Sequence, residues 1–300
     1  MVYANRGLAL SQSESNAYYT TLNRINRAAV LSTGGFYSQA ETLLNEIGEK
    51  NVPQQLKQYY YYTTTWLYNY WESFCDKSEF KDYCHQKRLH FLRLTVNTTH
   101  SNYVGLYAYL SGELAFLENP LSKTVLRHYT TTLNNSPVNS RVHASAAYGA
   151  ARYYREMGNM QLYEKYIVEA AISDMVCPLK ENLALQELST YLYKKDAKYA
   201  DRAARYIYVS MEDARFYNNR LRMLEISNIL PIIATANQEA LARKERVVSG
   251  ALAVVSLLSL LLFAMAIFGY KQNKWLSRSR HEVKDQNLQL TELNQKLVAT

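Results

Sequence analysis

The sequence predicts an all-α protein: paired helices stacked as an α-solenoid, then one transmembrane helix and a coiled-coil helix. Three observations carry this. Turn formers are scarce, with 10 Gly and 5 Pro in 300 residues, whereas an all-β chain needs turn signals about every 8–12 positions. Apolar positions between residues 15 and 246 recur at helical spacing and break at short polar joints. An uncharged stretch of 24 residues then runs from Val247 to Tyr270. With 48% hydrophobic and 20% charged residues the chain has material for a buried core. The 27 tyrosines, four of them consecutive at Tyr59 to Tyr62, suit helix-on-helix layers that stay partly wet.

The spacing predicts helices over 17–33, 37–48, 54–73, 78–97, 102–117, 121–134, 138–157, 160–175, 179–194, 197–211 and 213–246. Joints fall at Gly34-Gly35, Asn51-Val52-Pro53, Asn119-Pro120, Ser136-Pro137, Gly158-Asn159 and Pro178. Pro231, inside the last run, is expected to kink or break it. Residues 147–178 form the most regular unit: Ala147, Ala150, Ala151 and Tyr154 lie along one helix, Gly158 turns the chain, and Ile167 and Ala170 recur on the next. Small residues where two helices approach closely, with a Tyr beside them, resemble the tetratricopeptide repeat. Tyr163 stands where that repeat usually has a small residue. Leu188, Tyr191, Ala200, Ala204 and Ile207 suggest a second copy, and Ala28, Leu31, Gly35, Ala40, Leu44 and Ile47 a third. Residues 54–135 have room for two more without a clear register.

Three segments follow: a repeat domain over 1–246, a transmembrane helix over 247–270 and a coiled-coil segment over 271–300. The apolar stretch would be about 36 Å long as a helix, against a hydrocarbon core of about 30 Å. Thirteen of its residues are Leu, Ile, Phe or Val, together worth about 4–8 kcal/mol towards insertion. Three basic residues (Arg243, Lys244, Arg246) precede it and five (Lys271, Lys274, Arg278, Arg280, Lys284) follow. That asymmetry favours a cytoplasmic C-terminal side. Residues 1–30 read as no signal peptide, so either the large domain is cytoplasmic or native sequence is expected upstream. The helical pattern still runs at Thr300, and sequence is expected downstream too. Beyond the span, Leu276, Val283, Leu290 and Leu297 fill one heptad core position, and Ser279, Gln286, Leu293 and Thr300 the other. This stripe suits a parallel homodimer; a solvated helix is the alternative.

The run Glu212-Asp213-Ala214, Tyr217-Asn218, Arg220-Leu221-Arg222, Glu225-Ile226-Ser227 and Ile229 to Ile233 leads straight to the span. Here the chain resembles a family of bacterial membrane regulators defined by a domain of unknown function. That resemblance implies periplasmic tetratricopeptide repeats behind a signal peptide, one span in the inner membrane, a cytoplasmic coiled coil, and often a helix-turn-helix output domain. Nucleic acid would be contacted only by such a domain, outside these residues.

Chemistry-bearing motifs are sparse. Net charge is +8 without any block of like charges that would mark a nucleic-acid footprint. No phosphate-binding Gly loop, H-E-x-x-H or C-x-x-C occurs. Cys75, Cys84, His85 and His90 lack zinc spacing, and a Cys75–Cys84 bridge stands beside two packed thiols as the readings of the first pair. His281-Glu282 is similar to the phospho-accepting dipeptide of sensor kinases but lacks the Arg and Pro that follow it there. No catalytic residue, metal or cofactor is expected. Solenoids bind along the concave face, built from the first helix of each pair. That face would present Tyr148, Arg152 and Arg155, then Asn182, Ser189 and Tyr193, to a protein or peptide partner. The leading expectation is a membrane sensor signalling through its span; a membrane-anchored scaffold without output is the alternative.

Overall fold

Small side chains set where the helices pair. The computed structural model describes residues 2–75, 79–178 and 183–298, with side chains up to residue 294. Twelve α-helices occur among them: α1 Val2–Ser13, α2 Ala17–Thr33, α3 Tyr37–Ile47, α4 Lys57–Phe74, α5 Glu79–Thr98, α6 Val104–Glu118, α7 Lys123–Asn134, α8 Arg141–Glu156, α9 Met160–Val176, α10 Leu183–Lys195, α11 Ala200–Phe216 and α12 Arg220–Val298. The described residues contain no strand. α2 packs on α3, α4 on α5, α6 on α7, α8 on α9 and α10 on α11, giving five helical hairpins in series, with α1 laid against α2.

The α8–α9 hairpin follows from its sequence. Ser140 caps α8 by accepting the His143 N–H at 3.2 Å, and Asn159 caps α9 by accepting that of Leu162 at 3.1 Å, each satisfying an orphan donor of a first turn. Gly158 joins them at φ +70°, a conformation costly for residues with a Cβ. Ala147, Ala151, Ile167 and Ala170 are fully buried in one core, and Ala150 is fully buried in the neighbouring one with Leu110 and Tyr129. Tyr163 occupies its small-residue position by lying buried edge-on to the Tyr191 ring, 5.2 Å away. The two unregistered hairpins, α4–α5 and α6–α7, use larger groups: Leu67, Leu92, Leu110, Val125 and Tyr129 are almost wholly inaccessible.

The chain divides into two units, Met1–Gln238 and Glu239–Thr300. In the first, three cores are stacked, around Ile25 and Leu44, around Leu110 and Tyr129, and around Ile167 and Ile207. The opening of α12 joins the outer two: Leu221 belongs to the first core, Ile226 and Ile233 to the last. Arg220 also lies over the Phe36 ring, 4.2 Å from its centroid, at the α2–α3 turn. The series of hairpins therefore returns upon itself, and α12 starts at the closure. In the second unit, α12 is solvated on nearly every side. Its apolar stretch reaches a mean hydropathy of 2.7 with none of that window buried, so the helix is long and apolar enough to cross a membrane.

Two expectations need correction, and two that stood between alternatives are narrowed. Residues 2–13 form a helix that the spacing did not predict, since only Ser11 of α1 is buried. α11 continues to Phe216, five residues beyond its predicted end; the joint is Tyr217 to Asn219, where Asn218 takes φ +51° and the Asn219 side chain accepts the Arg222 N–H at 3.2 Å. Pro231 does not break α12. Pro231 and Ser227, four residues before it, both lie on the exposed side, so the Ser227 carbonyl deprived of its donor faces water. Cys75 and Cys84 are free thiols, the second of the two readings of that pair, and Cys177 is free as well.

Candidate functional site

A cavity of about 280 Å³ lies inside the repeat domain, walled chiefly by first helices of the hairpins: Asn69 of α4, Glu113 of α6, Tyr148 and Arg152 of α8, Glu187 of α10, and then Arg222 of α12. Its chemistry is that of paired charges. Glu113 accepts from Arg152 and, at 2.8 Å, from the Tyr129 hydroxyl. Arg88 reaches it from 3.7 Å while also pairing with Glu72 at 3.1 Å. Glu187 accepts from Tyr148 at 2.7 Å, Arg155 at 2.8 Å and Tyr163 at 3.4 Å. Glu225 accepts from Arg222 at 2.6 Å and Gln186 at 3.3 Å.

Burial pulls the Arg152 pKa down, but Glu113 with the surrounding tyrosines outweighs it and the pKa ends raised; the guanidinium is a fixed charge. Burial first, and Glu187 second, raise the Tyr148 hydroxyl, which stays a donor. The Arg152 guanidinium is also sandwiched, 4.5 Å from the Phe116 centroid and 5.4 Å from that of Tyr148, an arrangement that suits its planar fork.

A second cavity, about 410 Å³, adjoins the first through Trp66 and Arg141, which line both. Its walls are largely aromatic: Tyr59, Tyr62, Trp66 and Tyr70 project from one side of α4, opposite Ala29 and Val30 of α2. Trp66 is held among rings, stacked on Tyr109 at 6.5 Å and edge-on to Tyr62 at 5.9 Å. Tyr217 and Asn219, at the α11–α12 joint, complete it. Two N–H donors of these walls, Trp66 Nε1 and Arg152 Nε, are buried without a hydrogen-bond partner.

Of the residues expected on the concave face, Tyr148 and Arg152 line the first cavity. Arg155 is more exposed and acts on it through Glu187. Ser189 does not face it: its hydroxyl is fully buried and donates to the Ala203 carbonyl at 2.7 Å, tying α10 to α11. Tyr193 packs against the last core, and Asn182 lies outside the described residues. Leu276, Val283 and Leu290 are exposed along α12; the Leu297 side chain lies outside the described residues. Spacing alone missed Trp66, Arg88, Glu113 and the α12 pair. The signal for the aromatic wall was present, because positions 59, 62, 66 and 70 share a helix face. Among the described residues no group of His, Cys, Asp or Glu side chains is placed to hold a metal ion.

A family model described as the SusR N-terminal TPR domain matches residues 1–228. No curated protein and no solved structure matches the chain.

Proposed function

The chain belongs to the SusR N-terminal TPR domain family, and from that premise we propose a single-pass membrane regulator whose repeat domain binds a protein or peptide partner and reports occupancy along α12. The repeats, an interaction fold rather than a catalytic one, supply the binding cavity. The observation that carries the reading is that Arg222 and Glu225, which line it, lie in the first two turns of α12. The same helix includes the apolar stretch 247–270. A ligand touching that pair bears directly on the output element, with no intermediate chain of contacts needed.

The span anchors the protein in the bacterial inner membrane. The five-to-three excess of basic residues after it supports a periplasmic repeat domain and a cytoplasmic tail. In the cytoplasm, Leu276, Val283, Leu290 and Leu297 pair two chains in parallel, and a change in helix spacing or rotation is the signal. The effector is a domain outside these residues, and any contact with nucleic acid belongs to it.

Cross-linking in native membranes tests transmission. With a cysteine at Val283, Arg222→Ala should alter the oxidative dimer yield about fivefold, the response to a bias of about 1 kcal/mol between two helix arrangements. An unchanged yield, with the repeat domain still folded, would separate the cavity from the tail and refute the reading.

A further inference from the structure

The adjoining cavities define their ligand more narrowly than a concave repeat surface does. In the polar chamber three of the four lining carboxylates accept from named donors, Glu113 from two with Arg88 paired to it at 3.7 Å, Glu187 from three and Glu225 from two, and Asp174 is the fourth. Donors are in surplus. A guanidinium carries five N–H groups; Arg152 engages Glu113 and Tyr129 through Nη2 alone, and its Nε has no partner. The Trp66 indole N–H, where the chambers meet, is also unpartnered. A buried donor without an acceptor is costly, so the group that completes this site brings oxygens that accept.

An internal peptide unit brings an N–H for every C=O, so it would add as many donors as acceptors and leave the surplus of donors unchanged. A chain end differs: its carboxylate is acceptor-only and makes charge-assisted bonds with guanidinium groups. Beyond Trp66 the aromatic chamber offers ring faces and methyl groups over about 410 Å³, and the Tyr59 hydroxyl is tied back to Asn26 at 2.8 Å, leaving its ring as wall. We infer that the cavity takes the carboxyl-terminal end of a peptide whose last residue is aromatic or large and aliphatic, its carboxylate in the polar chamber near Arg152 and its side chain against Trp66 and Tyr62. This rests on the peptide-binding part of the proposed function and specifies it.

The test uses the full chain in lipid nanodiscs and three probes: Gly-Gly-Phe, its carboxyl-terminal amide, and Gly-Gly-Gly. Calorimetry and tryptophan fluorescence should show saturable binding of Gly-Gly-Phe. The amide, lacking the charged acceptor, should bind at least about tenfold more weakly, and Gly-Gly-Gly likewise for want of a buried ring. Arg152→Lys keeps a cation for Glu113 but loses the fork, and should abolish discrimination between acid and amide. Should that variant not fold, Tyr62→Ser, at a half-buried wall position, should remove the preference for Phe over Gly. Equal binding of acid and amide, equal binding of Phe and Gly peptides, or no saturable binding of any probe overturns the inference. The Arg222→Ala cross-linking response needs no added ligand, so failure here and failure of transmission through α12 are told apart.

Discussion

Several buried and half-buried tyrosines in this protein donate to carboxylates, which is one way that so many fit. Tyr68 donates to Glu41 at 2.6 Å, Tyr61 to Glu49 at 2.7 Å and Tyr191 to Glu164 at 2.8 Å. Burial, then the neighbouring Glu49, pushes the Tyr61 pKa up to about 12, so the hydroxyl remains a donor at any physiological pH. The run Tyr59 to Tyr62 is legible in this light: successive rings point about 100° apart around α4, so one wall faces the core and the next the cavity. Ser189 was misread for a related reason. Spacing assigns a residue to a helix face, but only the neighbouring helix, here α11, decides whether that face is covered. A pH effect belongs at this scale. His128 is held below its ordinary value of 6.5 by burial first and Arg127 second. Its charged form is disfavoured only in the folded state, so its contribution to stability is intact above that value and is lost as pH falls through the folded-state pKa. His128→Gln should therefore lose less melting temperature between pH 8 and pH 5 than the parent does. Equal losses in the two proteins would show that His128 does not contribute to the acid sensitivity.

At the scale of helices, close approach is controlled by where a Cβ is missing. A Cβ added to Gly149 of α8 would lie 2.5 Å from the Tyr129 ring, and one on Gly112 of α6 2.9 Å from it. Tyr129 cannot yield easily: it is fully buried and its hydroxyl holds Glu113. Gly149→Ala should gain about 1 kcal/mol in helix propensity but lose about 1–3 kcal/mol to overpacking. Displacing Tyr129 also strips a donor from a buried carboxylate, which tips the balance to net destabilisation. A lower urea midpoint by near-ultraviolet circular dichroism is expected; a midpoint equal to or above the parent's would mean that the ring moves freely. The helices themselves were largely legible, because Gly158, the Pro joints and the Ala-lined pairs punctuate the chain strongly. The α11–α12 joint was not. The apolar period runs on through Met211, Ala214 and Phe216, and the turn rests on Asn218, a quieter signal than Gly. The same oversight hid the α12 half of the cavity, since the place of Arg222 in its wall depends on where that helix begins.

For the whole molecule, the question is what the tail of α12 does with its apolar stripe. Leu276, Val283 and Leu290 recur every seven residues and are exposed in the single chain. The stripe was legible as a heptad; its partner was not, because a dimer interface leaves no second signature within one sequence. Two identical spans would deliver two tails in register, making a parallel pair the simplest way to cover the stripe. The other core position carries Ser279 and Gln286, so the pair would be weak, as the proposed signalling role requires of it. Leu290→Asp puts a charge into that seam. It should lower oxidative cross-linking through a cysteine at Val283 about tenfold or more, because one buried Leu contributes about 1.5–3 kcal/mol and two chains lose one each. Membrane retention and the folded repeat domain should be unchanged, since the substituted residue lies outside the Met1–Gln238 unit. Equal yields in the two backgrounds would make the stripe a solvated helix face, and signalling would then have to leave the membrane by a monomer.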